Sequence, residues 1–501
     1  MTRMGKWANL AGFFVALGWL TTVSGIEVQA QETAQAQLQP GRESEIDELK
    51  KQVQELQKRI GVIEGERAQL ETKAATPPGW TQKIRIFGDM GIRAEIMHNV
   101  AHLTGTDTYR TRYRLRINGA YQVNEYWETG FRIMNADPRY PTTGWETFGQ
   151  TRSPGDASGP ESGSGRSGFV NFDRMYINWT PNRWVKIQTG KQELPFWKPW
   201  MVWGSSVWHD DDLQPAGFAE VFRFPAFGSM KSMKLVFSQF ALSQMTTSTT
   251  NLPQFQTNGL GSSMWGAQLS GVVAATPDLD VGWGIGFYAF DNLNGFAKGI
   301  PQAMTAGTYN NRSTNTVLAA NPSLSGGYLN CSPFAGLQGA PTAPNNSCNR
   351  YLSEWRLVNA GVELHTKGRV PIIFSADVVN NFGAVEDKVR GAGKRGLAWE
   401  VHASVGSFRE PGEFQFGAGY YWGQADATWA VWADDDYLNT NVNTAMFNIK
   451  WKIFKDVLLV WDNYIRRWND SQLAELQGIV PADGSGNATF SSSRLTWVVS
   501  F

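Results

Sequence analysis

Residues 109–123 read Tyr109-Arg110-Thr111-Arg112-Tyr113-Arg114-Leu115-Arg116-Ile117-Asn118-Gly119-Ala120-Tyr121-Gln122-Val123, and this run decides the fold. It alternates with a period of two. Tyr109, Tyr113, Leu115, Ile117, Tyr121 and Val123 hold odd positions, and Arg110, Arg112, Arg114, Arg116, Asn118 and Gln122 hold even ones. A β-strand sends successive side chains to opposite faces. The run therefore predicts a strand with four guanidinium groups in single file on one face and apolar and tyrosyl side chains on the other. Two settings suit it: a soluble sheet with a solvated basic face over a core, or a barrel with a wet, charged lumen and a greasy outer wall.

Working outward, the totals do not exclude the barrel. The chain has 501 residues, 45 basic and 45 acidic, with 42% hydrophobic residues and a mean hydropathy of −0.33. Beyond the N-terminus no run of 18 apolar residues occurs, so a membrane-spanning helix is not expected. A spanning barrel hides its apolar content in every second residue. Neutral net charge gives no support to a nucleic-acid binder.

Arg3 and Lys6, the apolar stretch Trp7–Val23 and the small-residue site Val28-Gln29-Ala30 predict a signal peptide over residues 1–30. Its removal leaves 43 basic and 44 acidic residues, net −1. An exported chain of a diderm bacterium then faces periplasm, outer membrane or outside. Residues 31–73 predict a periplasmic α-helical coiled coil: Ile46, Leu49, Val53, Leu56, Ile60, Ile63 and Leu70 recur at heptad spacing among charged and amidic neighbours. A lone amphipathic helix is the alternative. Ile60 and Ile63 put Ile at both a and d, which disfavours a dimer. Arg59, Ile60, Ile63 and Glu64 resemble a short trimerisation motif, so a homotrimer is expected. Residues 74–80 (Ala-Ala-Thr-Pro-Pro-Gly-Trp) are the linker.

From residue 81 to 501 the chain alternates tight connections with long ones. Lys83–Met97, Tyr109–Val123, Trp127–Ala136, Phe169–Trp179 and Trp184–Gln192 lead a count of sixteen strands, of which Phe218–Phe224 is the shortest. An even count puts both ends of the barrel on the side of the tight turns, the periplasmic side in outer-membrane barrels. Aromatics crowd those turns (Tyr126, Trp127, Trp179, Trp184, Phe454), as an interfacial belt does. The chain ends on Leu495, Trp497, Val499 and Phe501 sharing a face, and a terminal Phe resembles the signal read by barrel-assembly machinery. The expected class is all-β: a 16-stranded antiparallel transmembrane barrel.

The heptad leader, the arginine-rich second strand, the stretch Lys186-Ile187-Gln188-Thr189-Gly190-Lys191-Gln192-Glu193-Leu194-Pro195-Phe196 and the terminal Phe resemble trimeric bacterial outer-membrane porins, especially phosphate-selective porin-like channels with an N-terminal coiled coil. The resemblance implies that Glu193–Pro215 is a loop folded into the barrel, with Lys198, Asp210, Asp211 and Asp212 at a constriction.

The expected function is passive diffusion of small hydrophilic solutes and ions, with anion preference. A row of cations on a low-dielectric wall attracts anions, and Arg110, Arg112, Arg114, Arg116, Arg132, Lys186 and Lys191 are the candidate lining. The bland alternative pairs the arginines with lumen carboxylates such as Asp89, Glu95 and Glu128. The competing function is a barrel serving as scaffold or sheath, either anchoring the cell wall through its rod or enclosing an electron-carrying partner.

Cys331 and Cys348, in the longest loop with 16 residues between them, are expected to form a disulfide. The five histidines (His98, His102, His209, His365, His402) form no metal pair at strand or helix spacing, so neither an enzyme nor a resident metal is expected, beyond Ca²⁺ loosely held by acidic loops. The expected partners are outer-membrane lipid, two further copies, small solutes or anions and, through the rod, peptidoglycan.

Overall fold

The computed structural model describes residues 42–74, 83–98, 108–135, 145–147, 170–242, 262–291, 293, 317–319, 348–351, 353–386, 393–429, 432–434, 440–471 and 489–501. The expected signal peptide, the rod's first residues, most of the linker and Cys331 lie outside them. The chain divides into two units, residues 1–77 and 78–501.

The first unit contains one helix, α1 (Arg42–Ala74). Its heptad residues Val53, Leu56, Ile60 and Ile63 are 50–61% exposed in the single chain. Arg59 Nη2 bonds Glu55 Oε1 of its own helix at 3.0 Å, one turn back.

In the second unit sixteen antiparallel strands close into a barrel. They are β1 (Ile84–His98), β2 (Thr108–Gln122), β3 (Trp127–Asn135), β4 (Val170–Asn182), β5 (Val185–Lys191), β6 (Ala216–Phe224), β7 (Met230–Ala241) and β8 (Ser263–Thr276). There follow β9 (Leu279–Asp291), β10 (Trp355–Thr366), β11 (Ile372–Asn381), β12 (Leu397–Gly406), β13 (Phe414–Gly423), β14 (Val442–Phe454), β15 (Val457–Trp468) and β16 (Phe490–Ser500). Each pairs with the next in sequence, and β16 returns to β1 in register Met90↔Val499 through His98↔Ser491. Closure leaves no unpaired edge, the condition for a sheet to stand in lipid.

Connections at one end take two to seven residues, and those at the other nine or more. Side-chain oxygens build the tight turns. Asn124 Oδ1 accepts the N–H groups of Tyr126 and Trp127 at 2.9 and 3.0 Å, and Asn182 Oδ1 those of Trp184 and Val185 at 2.9 and 3.1 Å. That second turn lets β4 run on to Asn182, past the Trp179 end expected from sequence. In the β12–β13 turn the backbone N–H of Glu410, with Ser407 and Arg409, holds the Glu413 carboxyl below its ordinary range. Gly228 takes φ 56° between β6 and β7, a conformation that favours glycine.

Burial is inverted relative to a soluble sheet. Tyr109, Leu115, Ile92, Ile96, Phe131, Phe237, Ile285, Phe447, Leu495 and Trp497 are exposed on the outer wall, while Glu95, Arg112, Arg132, Asp377, Glu400 and Arg494 are buried on the inner one. Water cannot order side chains this way, but a hydrocarbon outside and a polar lumen inside can. Rings pair along the outside near the short turns, as Trp127 on Trp179 (centroids 5.6 Å) and Phe414 on Trp451 (5.2 Å). The expected wall of alternating faces is thus present. Three short strands within long connections have no counterpart in the sequence reading: Glu146–Thr147, which joins β2, and the pair Val317–Ala319 and Cys348–Tyr351.

Candidate functional site

The arginine file of β2 faces the barrel interior, and the register of β16, β1 and β2 sets its partners. Glu95 lies between Arg494 and Arg110 in one row, and Arg93 lies beside Thr496 and Arg112 in the next. Below them Gly91 is opposite Arg114, then Asp89 opposite Arg116. Glu95 accepts from Arg110 Nε and, at 2.8 Å, from Arg494 Nε. Asp89 accepts from Arg114 at 3.0 Å and Arg116 at 2.7 Å. Unlike the other rows, that of Gly91 has no side chain on β1, and the Trp145 indole occupies its space. A Cβ on Gly91 would lie 2.6 Å from that ring. Arg93 and Arg114 stack over the indole at 4.0 and 4.7 Å, and Arg112 Nη2 donates to the Trp145 carbonyl at 2.6 Å.

This wall holds two features at once. Two like charges about 7 Å apart repel by roughly 2 kcal/mol at an effective dielectric of about 20, so a file of arginines calls for carboxylates. Asp89 and Glu95 supply them, and Glu128 instead takes Arg85 at 2.8 Å. Arg93, Arg110, Arg112, Arg114, Arg116 and Arg494 nevertheless outnumber Asp89, Glu95 and the loop residue Asp212, whose Oδ1 is 3.6 Å from Arg116 Nη1. Among the described residues of these three strands and the loop, arginines outnumber carboxylates.

The other candidate basic residues separate. Arg132 is buried and paired with Asp173. Lys186 is on the inner face of β5. Lys191 is in register with Met175, which is 56% exposed, and with Ala216, on the outer face. The strand period puts residues five apart on opposite faces, so Lys191 does not join Lys186 in the interior.

Residues 192–215 enter the barrel. Gln192 N–H bonds the Pro215 carbonyl at 3.1 Å across the base of this loop. From there the chain crosses the inner wall strand by strand. Lys234 of β7 donates to the Pro195 carbonyl (2.8 Å), and Gln268 of β8 bonds Trp197 N–H (2.6 Å) and carbonyl (2.8 Å). Trp197 lies over β9 at Gly284, where a Cβ would come within 2.5 Å of the ring. Glu363 of β10 accepts from Trp200 N–H at 2.7 Å, and Ser375 of β11 donates to the Trp200 carbonyl. His402 Nδ1 of β12 accepts from Val202 N–H at 3.4 Å, and Asn448 of β14 donates to the Val202 carbonyl at 3.2 Å. The returning limb is fixed by Asp377 of β11, which accepts from Ser206 Oγ at 2.7 Å and Val207 N–H at 3.2 Å.

The expected loop residues take three settings. Lys198 pairs with Asp211, which is exposed. Asp212 reaches Arg116 as above. Asp210 is buried, its N–H bonding the Trp432 carbonyl at 2.8 Å. His209 beside it is also buried, with Nδ1 3.1 Å from the Asp210 carbonyl. Among the described residues no three His, Cys, Asp or Glu side chains converge as metal ligands. Around the loop an aromatic core fills this side of the interior: Trp208 stacks on Tyr288 at 3.9 Å, and Phe196, Phe290, Trp429 and Trp432 pack round them. Arginines thus gather on the β16–β1–β2 side, and aromatic packing, with the carboxylates of Glu363, Asp377 and Glu400, on the other.

A closed barrel with a lipid-facing apolar wall, a charged interior and a loop folded inside it defines a channel of the bacterial outer membrane. The family model described as "Putative porin" matches residues 97–449, and the chain belongs to that family. Among solved structures it is similar to an anion-selective porin from Comamonas acidovorans, with 11% identity over 83% of this chain and 99% of that one, and a TM-score of 0.43. It is also similar to OprB of Pseudomonas putida, with 9% identity, 87% and 96% coverage, and a TM-score of 0.47. No curated protein matches.

Proposed function

We propose that the barrel is a passive-diffusion pore for small hydrophilic solutes and ions, with anion preference, and not an enzyme. The observation that carries this reading is the guanidinium excess along β16, β1 and β2, set against a loop with an aromatic core behind it. The core and loop crowd one side, so a permeating ion passes close to the arginines. Low-dielectric walls strengthen their field. Lys198, Asp211 and Asp212 are the charged residues of the constriction loop, and the Asp212–Arg116 pair, 3.6 Å apart, joins that loop to the arginine row and closes the space between them. Arg110, Arg112, Arg114 and Arg116 are the lining, Arg132 and Lys186 extend it, and Lys191 has no part in it.

The rod, through Arg59, Ile60, Ile63 and Glu64, joins three copies in the periplasm. Helix α1 supports this by leaving its heptad residues uncovered in the single chain. Planar-bilayer recording of the full-length protein in a salt gradient tests the pore. The reversal potential is expected to report anion preference, reduced several-fold by Arg112→Ala with Arg114→Ala. Cation preference that these substitutions leave unchanged would refute the assignment.

A further inference from the structure

The inner face of β5, β6 and β7 carries a second basic cluster, on the short-turn side of the inserted loop. Lys186 is in register with Val221, two residues from Arg223, and Arg223 stands directly opposite Lys234. Val221 and Val236 of the same face are 3% and 0% exposed, which identifies that face as the inner one. Like charges directly opposed across two strands destabilise a sheet unless something offsets them.

Elsewhere on the wall the offset is a carboxylate: Glu95 for Arg110 and Arg494, Asp89 for Arg114 and Arg116, Asp173 for Arg132, Glu193 for Arg174 at 3.0 Å. Lys186, Arg223 and Lys234 have no carboxylate partner among the described residues. The acids close enough to act on Lys186 are Glu128 and Glu193. Glu128 is already engaged by Arg85 at 2.8 Å and Asn178 at 3.1 Å, and Glu193 by Arg174. Arg223 is close enough to act on both lysines. Lys234 donates once, to the Pro195 carbonyl at 2.8 Å, and an ammonium has three donors. Arg223 is exposed and the two lysines half-buried, so all three reach the aqueous interior.

We propose that Lys186, Arg223 and Lys234 form a binding site for a small divalent oxyanion, passed on from the arginine row or entering from the short-turn side. A guanidinium fork matches two oxygens of such an anion, and two ammonium groups supply point charges on either flank. A monovalent ion would leave most of the mutual repulsion standing, whereas a dianion removes it. Lys234 also couples the site to the loop, since the same Nζ that would hold the anion holds Pro195. The proposal rests on the pore reading of the lumen.

The test uses sulfate as probe on the full-length protein in planar bilayers carrying chloride current. Added sulfate is expected to reduce the chloride conductance with saturation. Arg223→Gln and Lys234→Gln are each expected to weaken that effect about tenfold, the loss of one charge-assisted contact. Among the described residues Arg223 makes no hydrogen bond to the loop, so Arg223→Gln reads the site apart from the Lys234–Pro195 contact. Arg112→Ala with Arg114→Ala is expected to change selectivity while leaving the sulfate midpoint in place. A barrel that passes no ions sinks the pore reading and the site together. Chloride current with no saturable sulfate effect, or with a midpoint unmoved by both glutamine variants, overturns the site alone.

Discussion

Asp377 fastens the returning limb of the inserted loop by two hydrogen bonds, and replacing it tests whether the loop governs the passage. Its carboxylate accepts from Ser206 Oγ at 2.7 Å and Val207 N–H at 3.2 Å on the loop, and from Asn359 Nδ2 at 2.5 Å on β10. Hydrogen bonds to a charged group contribute about 1.5–3 kcal/mol each. Losing the two loop bonds in Asp377→Ala therefore costs the seated position about 3 kcal/mol at the least, on the order of a hundredfold in population. A loop seated all but one part in ten thousand of the time would then leave its seat about one part in a hundred, often enough to register in a recording of seconds. The assay is single-channel recording of wild type and Asp377→Ala at equal salt. The variant is expected to show brief excursions to higher conductance. A variant with wild-type conductance and no added fluctuation, in a barrel that still resists denaturant like wild type, would refute the loop's role as the narrowing element.

His402 is a second fastening of the loop. Its Nδ1 accepts from Val202 N–H and its Nε2 is 3.3 Å from Glu400 Oε2. His402→Leu, which loses that acceptor, is expected to increase current fluctuations in single-channel recording, and a variant as quiet as wild type would count against this fastening. Leu115→Arg puts a charge on the lipid face and is expected to cost about 2–4 kcal/mol if the site is near the bilayer midplane. Urea titration of protein folded into lipid vesicles reads this out, and an unchanged midpoint would contradict the assigned face. Ile60→Asp with Ile63→Asp is expected to abolish the cross-linked trimer while sparing conductance of the barrel.

What could be read from the chain follows from how many residues share each constraint. The alternation of Tyr109–Val123 is set by two different solvents on the two faces of one sheet, so every residue of the run reports it. Asp89 and Glu95 show in the same way, because β1 alternates in step with β2. Trp145 left no such mark. It comes from an aperiodic loop, and its counterpart Gly91 looks like any glycine in a strand until the indole above it is seen. The loop's fastenings to Gln268, Glu363, Asp377, His402 and Asn448 are equally silent, since each joins one irregular residue to a strand far along the chain. Lys191 shares only its charge with Lys186: an interval of five residues along one strand separates their faces. Asp210, Asp211 and Asp212, written as one acidic run, meet three different surroundings because a turning backbone gives adjacent residues no common direction.

The way residues 195–207 are stitched to the wall also bears on how the molecule is made. Their polar fastenings on β7, β8, β10, β11, β12 and β14 all belong to chain that follows the loop. When β6 is complete, the segment still has nowhere to dock. Each later hairpin supplies its next anchor, so seating advances with closure of the cylinder and cannot precede it. A chain truncated before β14 would lack Asn448, the last of these anchors along the sequence.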